Sequence, residues 1–142
     1  MRLAILPCAI ALLASTVAYA DDDIGETCDG PGTLQVGNQA PRDLPYTLTF
    51  SADLTTGSYC YDKCGPDQTH AIADSTSPLI KLADFHSAKI VRLTTFDRRT
   101  SVLTDYYTLD LGRIGKTVRR ASVTCRPAPF QAPAPLPSHK AH

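Results

Sequence analysis

The cysteines are the residues whose spacing first suggests chemistry. Cys60, Cys64 and His70 fall within eleven residues, and Cys125 could add a fourth donor, which is a zinc-type ligand set. Zinc sites tolerate Cys-x3-Cys, but no second paired motif accompanies it. The same spacing excludes a thioredoxin-like motif and a haem attachment site, both of which need two residues between the cysteines. Oxidation is the competing outcome. With Cys28 these cysteines form an even set of four downstream of an export signal, and an oxidising compartment drives such a set to disulfides. The reading is therefore no metal and no cofactor. Three pairings are possible; the favoured one is a local Cys60–Cys64 bridge with a long Cys28–Cys125 bridge.

Other catalytic constellations lack an anchor. No Gly-x-Ser-x-Gly occurs to present a serine nucleophile, and His70 and His86 are the only histidines outside the tail. Glu26 is the only glutamate, so a glycosidase pair would have to be two aspartates. Asp97 and Asp105 flank a predicted hairpin, where aspartate ordinarily caps its own backbone. Gly30-Pro31-Gly32 lacks the lysine and the helix of a phosphate loop. An enzyme is not expected.

What remains is a binding surface. Tyr46, Tyr59, Tyr61, Tyr106 and Tyr107 could stack on sugars or on a protein, although core packing and cross-strand pairing are the commoner roles of tyrosines in strands, and the candidates kept for a surface are Tyr59, Tyr61, Tyr106 and Tyr107. Charge is polarised along the chain. Residues 21–74 carry ten acids against Arg42 and Lys63, whereas residues 75–142 carry eleven bases against four acids. Arg98, Arg99, Arg119 and Arg120 are therefore candidates to meet an anionic partner. The favoured reading of the polarity itself is that the acidic part packs beside the basic part.

The elements that position these residues begin after residue 20. Arg2, the apolar run from Leu3 to Val17 and Ala18-Tyr19-Ala20 read as a signal peptide cleaved after Ala20, which implies a periplasmic or secreted protein. The run is too short to span a bilayer, so no membrane-spanning segment is expected after cleavage. Cys8 lies too early in the apolar core for a lipidated cysteine. Nucleic acid is excluded as a partner by the export signal and by the absence of an aromatic-interleaved basic motif.

Residues 21–45 are dense in glycine and proline and predict an irregular arm. Residues 46–126 predict a β domain. Leu48, Phe50, Ala52 and Leu54 alternate with polar residues, the period-two pattern of a half-buried strand. Further strands are predicted over residues 58–61, 70–73, 79–83, 89–96, 101–111 and 117–125, separated by turn formers. The fold class expected is all-β, a small antiparallel sandwich or barrel of six to seven strands. Residues 127–142 hold Pro127, Pro129, Pro133, Pro135 and Pro137 and predict a disordered, polyproline-like tail.

Phe50 to Cys64, with its Asp53-Leu54 and Cys-x3-Cys, Phe96-Asp-Arg-Arg-Thr100 and Cys125-Arg-Pro-Ala-Pro-Phe130 carry a likeness. The chain resembles a group of small exported bacterial proteins of unassigned function over about half of residues 21–142. Ser101 stands where that group's turn glycine is expected, and Cys28 is an addition to its pattern. The resemblance implies compartment and fold and is silent on mechanism. The function expected is a non-enzymatic binding domain of the cell envelope, with a glycan, an anionic lipid or an envelope protein as partner. The alternatives are an inhibitor of a cell-wall hydrolase and a small hydrolase using aspartates with a histidine.

Overall fold

The computed structural model describes residues 22–136. The expected signal peptide, residues 1–20, and the end of the tail, residues 137–142, lie outside the described residues. Eight strands follow one another: β1 (Asp23–Val36), β2 (Arg42–Asp53), β3 (Ser58–Tyr61), β4 (Thr69–Ala71), β5 (Leu79–His86), β6 (Ile90–Asp97), β7 (Val102–Asp110) and β8 (Lys116–Pro127). They form one antiparallel sheet in the order β4-β3-β2-β1-β8-β7-β6-β5. Each strand pairs with its sequence neighbour except across β4 and β5, while the first pairs with the last. The result is a nearly closed up-and-down barrel, which decides between the two all-β architectures expected.

Local chemistry explains the turns. The Asp53 carboxylate accepts the N–H groups of Thr55 and Thr56 at 2.9 and 3.0 Å, and Gly57 takes φ +66°, where a side chain would be strained. Asp97 accepts the Arg99 N–H at 2.9 Å in the β6–β7 turn. Ser101, which occupies the position of an expected glycine, adopts φ +52°.

The seven expected strands are present, with their ends shifted by one to a few residues. The irregular arm is corrected. Most of residues 21–45 is strand, and β1 is a central strand of the sheet. Its breakers have tertiary reasons. A Cβ on Gly25 would sit 2.4 Å from the carbonyl oxygen of Ala128, and one on Gly30 would sit 2.9 Å from the Val123 side chain. Gly30 and Pro31 fall where β1 has no β8 partner in register, so the missing proline N–H leaves no gap in that ladder.

The disordered tail is corrected for its described part. Gly25, Ser51, Cys60 and Thr69 align in register across β1 to β4, and residues 128–136 run along that row on the outer face. The Ala128 N–H donates to the Gly25 carbonyl at 2.9 Å, Gln131 N–H to Ser51 Oγ at 3.1 Å, and Ala134 N–H to Thr69 Oγ1 at 3.1 Å. A polyproline rise of about 3.1 Å per residue lets residues 131–134 cover roughly two strand spacings. Ser51, Cys60 and Thr69 are buried on a face that would otherwise meet water.

Inside, strand alternation assembles Ile24, Phe50, Ala52, Ile80, Leu82, Phe96, Leu103 and Val123 into one cluster, with the Phe50 and Phe96 rings edge to face at 5.3 Å. It occupies the half of the barrel nearest the β2–β3 and β6–β7 turns. Both disulfides form in the favoured pairing, Cys28–Cys125 across β1 and β8 and Cys60–Cys64 after β3. They fit an oxidising compartment. Asp29 pairs with Arg126 across the same two strands, placing acidic chain beside basic chain.

The two bridges close loops of very different length, with sequence separations of 97 and 4. In the chain-entropy model, replacing Cys28 and Cys125 by alanine lowers unfolding free energy by about 4.7 kcal/mol, against about 2 kcal/mol for Cys60 and Cys64. Urea denaturation of the two double variants checks this order.

Candidate functional site

The barrel is unclosed along one seam. β4 has three residues, and the β5–β6 register shifts between Lys81 and Ala83. The two edges meet where Lys81 N–H donates to the Asp74 carbonyl at 2.7 Å, and its own carbonyl accepts the Ala73 and Asp74 N–H groups. Beyond that bridge they diverge and leave a cleft of about 440 Å³ lined by Tyr59, His70, Leu82, Phe85, Arg92 and Tyr107, among others.

Behind the cleft wall lies a buried charge cluster. Asp105 on β7 has a fully buried side chain. Its Oδ2 accepts from Arg119 Nη2 at 2.8 Å and its Oδ1 from Thr94 Oγ1 at 2.7 Å. Arg92 Nε lies 3.9 Å from Oδ1, too far for a hydrogen bond, and donates to Thr94 Oγ1 at 3.4 Å. Two guanidinium groups thus share one carboxylate, and the cluster carries a net positive charge.

Tyrosine rings cover the cations. Arg119 lies 5.5 Å from the centroids of both Tyr46 and Tyr107, and Arg92 lies 4.8 Å from that of Tyr61. Burial, and next the Asp105 carboxylate, push the Tyr46 hydroxyl far above its usual range. Burial, and next the neighbouring Tyr59, do the same to Tyr61. Both phenols are therefore neutral hydrogen-bonding groups. The Tyr61 hydroxyl donates to that of Tyr59 at 3.4 Å. His70 stacks at 5.5 and 5.9 Å from these two rings. Burial, followed by the Arg92 charge, lowers its pKa below the ordinary histidine value.

The structure divides the surface expected from sequence into three. Tyr59, Tyr61, Tyr107 and Arg119 converge on the barrel interior and cleft. Tyr106 and Arg120 stack on the outer face, 5.4 Å apart. Arg98 and Arg99 lie in the β6–β7 turn at the far end, where Arg99 faces Asp97 at 3.7 Å. The four cysteines are in disulfides, which removes their thiolates from metal binding. Asp97 is the turn cap expected, but Asp105 is corrected: it lies inside β7, buried, and caps nothing. His86 is exposed and 2.9 Å from Asp84, which also accepts from Lys81 at 3.0 Å.

Sequence reasoning missed Arg92 and the role of Asp105. A signal existed for both. Asp105 shares the alternation of core Leu103, and Arg92 that of core Phe96, so each is a charge on the inward register. Only the cross-strand register, with Thr94 opposite Asp105 and Arg92 opposite Tyr107, shows that they meet.

Removing Asp105 leaves two cations facing each other. Asp105→Ala is expected to cost about 3 kcal/mol, the low end for breaking a buried pair because the Arg119 side chain keeps 36 % exposure; chemical denaturation measures it. Glu26 provides a second test. Its Oε2 is buried without a hydrogen-bond partner among the described residues, and burial raises its pKa above 4.5. A raised folded-state pKa means stability is full below the unfolded value and falls as pH rises through the folded one. Glu26→Gln should therefore melt higher than the parent at pH 7, with the gap closing below pH 4.5 in thermal scans.

No helix among the described residues is long and apolar enough to cross a membrane. Comparison of the chain with protein-family models, curated proteins and solved structures finds no match, so the cleft is interpreted from its own geometry.

Proposed function

We propose that this protein is an exported, non-enzymatic binding barrel that holds a small ligand in the cleft between β4 and β5. The observation that carries the reading is the cleft itself. An eight-stranded barrel has an interior just wide enough to be filled by side chains or to hold one small molecule. Here the half beside the β2–β3 and β6–β7 turns is filled, and the seam leaves about 440 Å³ open to solvent. That volume falls in the range of ligand pockets, and the mix of aromatic walls with a few convergent polar groups is their usual composition. The strap along β1 to β4 and the Cys28–Cys125 bridge hold the frame around it. Preorganisation of that kind lowers the ordering cost of binding. The reading places the protein in the cell envelope with a small-molecule partner, and it assigns no catalytic residue.

A screen of the exported, disulfide-intact protein against a library of small metabolites by thermal shift tests this. A ligand at 100-fold excess over its Kd adds about 2.7 kcal/mol, a shift of several degrees for a domain of this size. Ile90 is half-buried, lies outside the core cluster and lines the cleft on the inward alternation of Arg92, so Ile90→Trp fills part of the space. Hits should shift the parent and not Ile90→Trp. An absence of hits, or hits that shift both proteins equally, overturns the reading.

A further inference from the structure

We infer that the cleft selects a small organic monoanion, a carboxylate carried on a flat apolar body, with Arg92 receiving the carboxylate. The inference rests on the cleft-binding reading above and adds the ligand's chemistry.

The first argument is the distribution of charge. Among the described residues, Asp105 is the only carboxylate facing the two interior guanidinium groups, and both of its oxygens are engaged, by Arg119 and by Thr94. Arg92 makes one long hydrogen bond, from Nε, and among the described residues neither of its Nη atoms has a hydrogen-bond acceptor. A guanidinium whose side chain is 28 % exposed, with one face against Tyr61, thus presents an unused planar fork in a cavity. Planar forks match the two oxygens of a carboxylate or of a phosphate.

The second argument separates those two. Two guanidinium groups against one carboxylate leave a single positive charge, which compensates one negative charge. A dianion would bring a second charge into a cleft walled by Tyr59, Tyr107, Leu82, Ala83 and Ile90, where unpaired charge is expensive. Arg119 is held by Asp105, Lys81 by Asp84, and His70 is held towards its neutral form by burial and by Arg92. A neutral His70 can still donate or accept one hydrogen bond. Asp84 is the one carboxylate on the lining, and its two oxygens face Lys81 and His86, so it does not cancel Arg92.

The third argument is the shape of the walls. Tyr59 and Tyr107 come from opposite sides of the barrel, on β3 and β7, and Phe85 is 54 % exposed at the rim of β5. An exposed phenylalanine beside a cavity offers apolar area that water solvates poorly. Rings on several walls suit a flat apolar body.

The test uses three probes on the parent protein, naphthalene-1-carboxylate, naphthalene-1-carboxamide and 1-naphthyl phosphate, with affinity from calorimetry and location from amide NMR shifts. The carboxylate should bind at least tenfold more tightly than the amide and more tightly than the phosphate, shifting residues of β4, β5 and β6. Arg92→Gln should cost the carboxylate at least tenfold and leave the amide nearly unchanged, and Arg92→Lys should recover part of the loss. Equal binding of carboxylate and amide, or an unchanged carboxylate affinity in Arg92→Gln, overturns the anion inference and leaves the cleft-binding reading intact. Tightest binding by the phosphate overturns the monoanion assignment. The comparison among probes needs no variant, so misfolding of Arg92→Gln does not shield the inference. If no probe shifts the cleft, the inference falls.

Discussion

The pairing of the first strand with the last turns a meander into a barrel. β1 and β8 lie almost the whole chain apart, and the Cys28–Cys125 bridge joins directly opposed residues of that pair. Every other strand contact is a hairpin between sequence neighbours, cheap in loop-closure entropy, whereas this one closes a long loop. It also brings the Asp-rich beginning beside the Arg-rich end, so the charge polarity of the sequence is partly a consequence of which strands must meet. Interior contacts depend on it. Without β8 beside β1, Val123 has no Gly30 to pack on, and Arg119, which the β7–β8 hairpin sets beside Asp105, loses the Tyr46 ring of β2 as its cover.

Closure stops one pair short, and that shortfall produces the cleft. β4 is too short to run alongside β5, and the register shift after Lys81 turns the edge of β5 away. A seam in a barrel normally exposes unpaired backbone and invites aggregation. Here Lys81 and Asp74 pin one end of it, and the side chains lining the rest include the rings of Tyr59, His70, Phe85 and Tyr107, the aliphatic Leu82 and Ile90, and Arg92. The buried cluster behind that wall is high in stakes. Asp105 must satisfy Arg119 and Thr94 at once, and Tyr46 and Tyr107 cover the Arg119 cation, whose Nε is buried without a hydrogen-bond partner among the described residues. A charged interior of this kind is poor as a source of stability.

The outer face shows a different economy of the same residues. Ser51, Cys60 and Thr69 are small and polar in places that strand alternation assigns to solvent, and the Pro-rich segment buries them. Proline suits that task because it holds an extended path without needing ladder partners of its own, and its carbonyls remain open to water. The glycine at position 25 makes room for the crossing.

Seven of the eight strands were legible from alternation and turn chemistry, as were the two disulfides, because both depend on local pattern and on the small number of cysteines to pair. Alternation also carried the half-hidden information that Asp105 and Arg92 share the register of core residues. What one-dimensional pattern could not carry was β1, whose glycines and prolines mimic a loop because the neighbours that require them, Val123 and the crossing chain at Ala128, are about a hundred residues away. Nor could it carry the sorting of the tyrosines and arginines into interior, outer face and far turn, since facing is set by cross-strand register. The sequence by itself determined an all-β chain with two bridges and polarised charge. Only the tertiary structure decided that Arg92, Arg119 and Asp105 share one interior and that a seam opens beside them, because the cross-strand register of successive hairpins and the closure of β1 on β8 place side chains that no spacing within a strand relates.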